Sequence, residues 1–376
     1  MRLKACSSLL LGLALALASQ AHADIVVAQS APLTGEAGGA GRGLALGAKI
    51  YFDHVNATEG GVNGHKIVHV VKDDGYQIEG TVRNAKEFIA DPRVVALTGL
   101  YGTDNVTELF KQGLFDNTPL PIVGVSTGAK LLREPLNPSI FHLRASYIEE
   151  VDAIVRHVAG LGTKRIAVVY EDNPFGEAGL RAAEDAVKKR NLALVARATY
   201  QQHTTDVRDA VKDVVESQPD TVILVAITPP AAEFTKQFHA AGGRAYLFGL
   251  STANVEGLSK VVSPTALQGL GISQVVPFPY SATLPLVADY QAAMKTYAKG
   301  TPYSYSTMEG YMNARVLVMA LKKAGNTPTR ASVRQALEGL GQINLGGYPL
   351  NFSPTNHVGS RFVDLTVVSR TGSLMR

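Results

Sequence analysis

The chain is short of cysteine, of charge clusters and of long apolar runs. Its one cysteine, Cys6, falls in an N-terminal leader, so the mature protein has none. An exported chain without disulfides must hold itself together by burying a core, and 376 residues are enough for two domains that do so. No Lys/Arg run interleaves with aromatics, which leaves no sequence grounds for nucleic-acid binding or a polybasic membrane contact. The net charge of +4 falls by two once Arg2 and Lys4 leave with the leader. Beyond the leader, apolar runs are of strand length and end on Gly, Pro or charge, too short to cross a bilayer. No Cys/His/Asp set has metal-ligand spacing: His65 and His69 are four apart, but residues 66–71 alternate as a strand does. No metal and no cofactor are expected.

What is present begins with the leader. Arg2 and Lys4 form a basic start, Leu9 to Leu17 an apolar core, and Ala21-His22-Ala23 a small-x-small cleavage site. Cleavage after Ala23 makes Asp24 the mature start and the periplasm the expected location. Cys6 precedes the apolar core, where a lipoprotein cysteine would follow it.

Residues 24–74 then read as strand, loop, helix, strand. Ile25-Val26-Val27-Ala28 is followed by Pro32-Leu33-Thr34-Gly35, a helical run from Arg42 to Asn56, a Gly60-Gly61 turn and a strand ending on Asp73-Asp74. The loop lies at the carboxyl end of a buried strand, where open α/β sheets place ligands. The alternation continues. Val94–Leu97, Leu120–Val125, Ile166–Tyr170, Leu192–Ala196, Val222–Ile227 and Tyr246–Gly249 read as buried strands, with amphipathic helical segments between them. Parallel sheets with helical crossovers are predicted. A helix–Pro–strand pattern at residues 85–99 recurs at 211–226, which fits two similar lobes.

Several motifs bear on function. Gly38-Gly39-Ala40-Gly41-Arg42-Gly43 follows a strand, but Leu44 and Leu46 stand where a dinucleotide fingerprint needs Gly. It reads as a flexible loop whose N–H groups are free to meet an anion. Gly124-Val125-Ser126-Thr127-Gly128 matches the G-x-S-x-G elbow, so a secreted serine hydrolase using Ser126, an Asp and His357 stands as an alternative. The competing reading makes Ser126 and Thr127 hydroxyl donors to a ligand. Five loops follow predicted parallel strands: Tyr101-Gly102-Thr103-Asp104, Ser126-Thr127-Gly128, Asn173-Pro174-Phe175-Gly176, Thr228-Pro229-Pro230 and Ser251-Thr252. Small hydroxyls and helix N-termini at equivalent strand ends favour a cleft gripping a small anion. Glu309 admits two readings: a first-turn carboxylate favoured by the helix dipole, to which the local pattern leans, or a cleft-facing acid.

On these residues the chain resembles the type I periplasmic solute-binding proteins of the leucine/isoleucine/valine-binding group, the receptors of ABC importers. Pro32-Leu33-Thr34-Gly35, the Asn56–Gly64 turn, Asp73-Asp74, Asp91-Pro92, the Gly99–Thr103 loop, Phe141-His142-Leu143-Arg144 and Asp172–Gly176 carry it, in order, over the whole mature chain. The resemblance implies an α/β fold of two Rossmann-like lobes with parallel sheets and a three-crossing hinge, the crossings falling near Arg144, Val275 and Tyr348. Lobe 1 would be 24–143 plus 276–347, and lobe 2 would be 144–275 plus 348–376. It further implies a monomer that is not an enzyme, captures a small carboxylate-bearing ligand and docks on an inner-membrane permease. A sensory module would have the same lobes and is the other alternative.

By the same resemblance, the ligand-binding set is Ala40, Tyr101, Gly102, Thr103, Ser126, Thr127, Gly128, Phe175, Ile227, Ser251 and Glu309. Thr103 keeps a carboxylate-binding hydroxyl, while Gly128 replaces a threonine. The second-lobe Tyr, Tyr and Glu that hold an amino acid's ammonium in that group match Phe175, Ile227 and Ser251 here. Ala40 matches a larger aromatic. The implied ligand is an amino acid held through Glu309, or an aromatic or aliphatic carboxylate.

Overall fold

The structure is a computed structural model that describes residues 23–376 apart from 255 and 259–261. All of the leader but Ala23 lies outside the described residues. Two sheets organise the chain. The first holds β1 (Ile25–Ala31), β2 (Ile67–Asp73), β3 (Val94–Thr98), β4 (Ile122–Val123) and β5 (Ile140–Phe141) in the order β2-β1-β3-β4-β5, all parallel. The second holds β6 (Arg165–Glu171), β7 (Ala193–Tyr200), β8 (Thr221–Val225), β9 (Tyr246–Gly249) and β10 (Gly271–Gln274), parallel in the order β10-β9-β8-β6-β7. Antiparallel β13 (Asp364–Val368) and β14 (Leu374–Met375) extend it beyond β10. A hairpin, β11 (Gly341–Asn344) and β12 (Pro349–Phe352), forms a separate ribbon.

The reasons are local. β1, β3 and β8 are Val/Ile/Leu-rich and buried along their whole length, as strands covered on both faces must be. Parallel neighbours need crossovers, supplied by α1 (Gly38–Thr58), α2 (Ile78–Ala90), α3 (Thr103–Lys111), α4 (Tyr147–Gly160), α5 (Pro174–Lys189), α6 (Arg208–Ser217) and α7 (Thr228–Ala240). A short α8 (Pro264–Leu267) leads into β10. Three helices in series follow it: α9 (Pro285–Tyr297), α10 (Tyr305–Lys323) and α11 (Arg330–Glu338). α10 is buried along most of its length and shares one apolar core with α1, Phe52, Phe141 and the β11–β12 ribbon.

Two loop expectations are corrected. The glycine run is not a loop: α1 starts at Gly38. A Cβ on Gly41 would lie 1.9 Å from the Pro32 carbonyl oxygen, and one on Gly47 would lie 2.0 Å from that of Thr307. These glycines let α1 approach the β1 loop and α10 at backbone contact. Likewise Asn173-Pro174-Phe175-Gly176 is the cap and first turn of α5. Asn173 accepts from the Gly176 N–H at 2.9 Å, and Pro174 sits at the first helical position, where its missing N–H costs nothing.

The chain passes three times between the sheets. Tyr348 ties the three passages together: its hydroxyl reaches the Leu143 carbonyl at 3.4 Å, the Val275 carbonyl at 3.2 Å and the Ser360 hydroxyl at 2.8 Å. The loops at the carboxyl ends of the two sheets face one another. Contacts such as Asn173 on Asp104 and Asn254 on Ser306 join the two halves across the intervening cleft.

Candidate functional site

The first-sheet side of the cleft is a corner built from a helix N-terminus and hydroxyl groups. Gly102 takes φ 94° as the N-cap of α3, a conformation that favours glycine, and Thr103 opens the helix. First-turn N–H groups lack intrahelical partners and carry the positive end of the dipole. The Thr103 and Thr127 hydroxyls pair at 2.7 Å, and the Tyr147 hydroxyl stands 3.5 Å from each. Gly128 lies directly beneath Tyr147, where a Cβ would come within 2.5 Å of that residue's nitrogen and ring. No threonine fits there; the Tyr147 hydroxyl reaches over the same loop. Tyr101 bridges Ser126 through the backbone, holding the two loops side by side.

The walls are aromatic. Tyr76 and Tyr101 meet edge to face at 5.5 Å, and Tyr147 and Phe175 do so at 5.4 Å. Ile227 and, less buried, Ala40 belong to the same apolar cluster. Burial pushes the Tyr76 and Tyr101 phenols up from their ordinary value. Tyr76 is absent from the sequence-derived set. Its place two residues past Asp74, at the end of β2, was the available signal.

The floor is a buried charge network. Arg144, on the first passage between the sheets, donates to the Ser126 hydroxyl at 2.8 Å and to the Ser251 hydroxyl. Its guanidinium lies 3.8 Å from Glu150 and 3.6 Å from Glu309. Glu150 is 0% exposed and accepts from the Ser251 N–H at 2.9 Å, the Ser251 hydroxyl at 3.1 Å and the Ser273 hydroxyl at 2.6 Å. Burial opposes Arg144's charge, but Glu309 and Glu150 reverse that and raise its pKa. The first-turn reading of Glu309 is corrected. α10 begins at Tyr305, capped by Ser304 and Thr307, so Glu309 falls beyond the first turn and faces Arg144. Burial raises its pKa, Arg144 pulls against that and Glu150 adds to it. Local pattern could not reveal the Glu150–Ser251 contact, since 101 residues separate the two.

The rim joins the lobes. The Asn173 amide donates to Asp104 at 2.7 Å and to Glu171 at 2.8 Å. Gln202 reaches Asp104 at 3.5 Å, and the His203 ring stands 2.8 Å from Glu36. Burial raises the Asp104 carboxyl to about 6; burial and the nearby Glu36 raise Glu171 to about 7.

The elbow geometry is not formed. Ser126 contacts Arg144, whereas His357 stacks on Phe141 at 4.0 Å and faces the Asn137 and Ile140 carbonyls at 3.1 Å. A cavity of about 610 Å³ lies elsewhere, along the passages between the sheets, lined by Phe278, Leu284, Tyr348 and Phe362. The convergent donors and acids are in the cleft, which is why the site is placed there.

Comparison with known proteins agrees with this placement of the fold. A "Leu/Ile/Val-binding protein homolog 3" from Brucella melitensis is 25% identical over 370 residues, 97% of each chain. A substrate-binding periplasmic protein from Ralstonia solanacearum is 35% identical, with TM-score 0.88 over 94% of this chain and 99% of that one. A possible leucine/isoleucine/valine-binding protein from Rhodopirellula baltica is 26% identical, also at TM-score 0.88, over 94% and 96%. The periplasmic binding protein family model matches residues 24–373, so the chain belongs to the periplasmic binding protein family.

Proposed function

We propose that the protein is the solute-binding component of an ABC importer and closes its two lobes on a small ligand bearing a carboxylate. The observation that carries this reading is the corner at Thr103, Thr127 and Tyr147, where a helix N-terminus and three hydroxyls converge beside aromatic walls. The carboxylate is held there, with Ser126 adding a hydroxyl. Tyr101, Phe175 and Ile227 enclose the body of the ligand, and Ala40 leaves room beside them. Closure is a hinge motion about the three passages tied by Tyr348. The closed form docks, as a monomer, on a membrane permease. Thermal-shift screening against amino acids, aromatic and aliphatic carboxylates, neutral sugars and polyamines tests the ligand class, because a ligand bound only by the folded state raises the melting temperature. Carboxylates are expected to raise it, and Thr103→Val with Thr127→Val to abolish the rise. A shift with sugars or polyamines alone would overturn the reading.

A further inference from the structure

The floor of the cleft has one guanidinium and two carboxyl groups in contact. Glu150 is committed: three protein donors and Arg144 surround it. Glu309 is not. It is 8% exposed, lies 3.6 Å from Arg144, and accepts no hydrogen bond among the described residues. The Arg144 Nε–H is likewise buried and unpartnered. The titratable groups facing Glu309 are Arg144 from the first passage, Glu150 from α4, Tyr101 from the loop after β3 and Tyr348 from the third passage. Arg144 supplies the only cation among them.

A ligand carboxylate at the Thr103–Thr127 corner adds a further negative charge to this closed space. With both glutamates ionised, one guanidinium would then face three carboxylates, and buried charge without a partner is unfavourable. Two things could restore the balance: an ammonium on the ligand, or a proton on the uncommitted acid. Arg144 disfavours the first. It stands against the same Glu309 oxygen, so a ligand ammonium drawn to that carboxylate would meet the guanidinium at short range. A protonated Glu309 removes the excess charge and turns an acceptor without donors into an O–H donor.

Building on the carboxylate-receptor reading above, we propose that Glu309 holds a proton in the closed cleft, so that the site selects carboxylates without an α-ammonium group over the matching amino acids. The direction of the Glu309 pKa, upward through burial, agrees with this. Binding then takes up a proton. Affinity is highest below the Glu309 pKa of the open form and is lost, by up to about tenfold per pH unit, as pH rises through the closed-form value.

The test uses pairs that differ only in the ammonium: 4-methylpentanoate against leucine, and 3-phenylpropanoate against phenylalanine. Calorimetric titration in buffers of different ionisation enthalpy gives affinity and proton uptake together. In the wild type, the deaminated acid of at least one pair is expected to bind at least about tenfold tighter than its amino acid. The rim acids Asp104 and Glu171 also titrate on closure, so the Glu309 proton is read as a difference. Glu309→Gln should take up one proton fewer, and its affinity for the acid should lose the part of the pH dependence that Glu309 supplies. Amino acids binding tighter in both pairs would overturn the inference and leave the carboxylate reading standing; this readout needs no variant. Proton uptake equal in wild type and Glu309→Gln would overturn it as well. Binding of none of the four probes would overturn the carboxylate reading itself, and the inference with it.

Discussion

Closure of the cleft should depend on pH through the rim acids. In the closed form, Asp104 and Glu171 share the Asn173 amide and are both buried, at 8% and 1% exposure. Separation of the lobes would return them to water and to ordinary carboxyl behaviour. Burial lifts Asp104 from 3.8 to about 6, and burial with Glu36 lifts Glu171 from 4.5 to about 7. An acid whose pKa is raised on closing takes up a proton. Its contribution to the closed form is fully present below the open-form value and is lost as pH rises through the closed-form value. The window therefore runs from about pH 4 to about pH 7. At about 1.4 kcal/mol per unit, each acid disfavours closure above that window by roughly 3 kcal/mol; the two share a partner, so their joint effect is smaller than the sum.

Residues 24–376 contain no cysteine, so in protein spanning them a pair introduced by Lys86→Cys on α2 and Lys188→Cys on α5 labels uniquely. Energy transfer between dyes at these exposed sites reports the distance between the lobes. The closed fraction, with or without ligand, is expected to fall between about pH 4 and about pH 7. The Asp104→Asn, Glu171→Gln double variant should flatten that fall and favour the closed form at pH 8 by on the order of 2–4 kcal/mol. An unchanged pH profile in the double variant, or a closed fraction that grows with pH in the wild type, would refute the reasoning.

Three further substitutions follow from the packing. Gly128→Ala forces a Cβ to 2.5 Å from the Tyr147 nitrogen, so it should cost roughly 2–4 kcal/mol in urea unfolding and displace the Tyr147 ring. Tyr348→Phe removes the hydroxyl shared by the three passages. It is expected to cost about 1–3 kcal/mol and to change the closed fraction in the same energy-transfer assay. Ser126→Ala leaves an Arg144 N–H without its acceptor, costing about 1–3 kcal/mol of thermal stability. Because His357 lies away from Ser126, neither wild type nor this variant should release product from p-nitrophenyl esters above the buffer rate.

How much of this was legible in the sequence depended on the range of the forces involved. β1, β3 and β8 declare themselves because burial on both faces requires a continuous apolar run, which composition alone displays. Helix starts were less visible. Gly38–Gly43 and Pro174 are loop signals by local propensity, yet both lie inside helices. Gly41 and Gly43 are there because the β1 loop and α10 press on α1, in the case of Ser306 from more than 250 positions away along the chain. The proline is there because the first helical position has no N–H to satisfy.

The cleft divides in the same way. Its hydroxyl corner follows from loops that end parallel strands, since β3 and β4 are neighbours in the sheet and must bring Thr103 and Thr127 together. Its charge does not follow. Arg144 follows β5, a two-residue strand that no predicted apolar run announces, Glu150 looks like an ordinary first-turn acid of α4, and Ser251 and Ser273 look like turn and strand polar residues. Only the folded chain makes them one network, drawn from three separate segments of the second half and reaching Ser126 and Glu309 in the first. Local sequence thus exposes the groups proposed to hold a carboxylate. The groups that set which charge may accompany it become visible only when both lobes are in contact, and it is there that discrimination between an acid and its amino acid has to be decided.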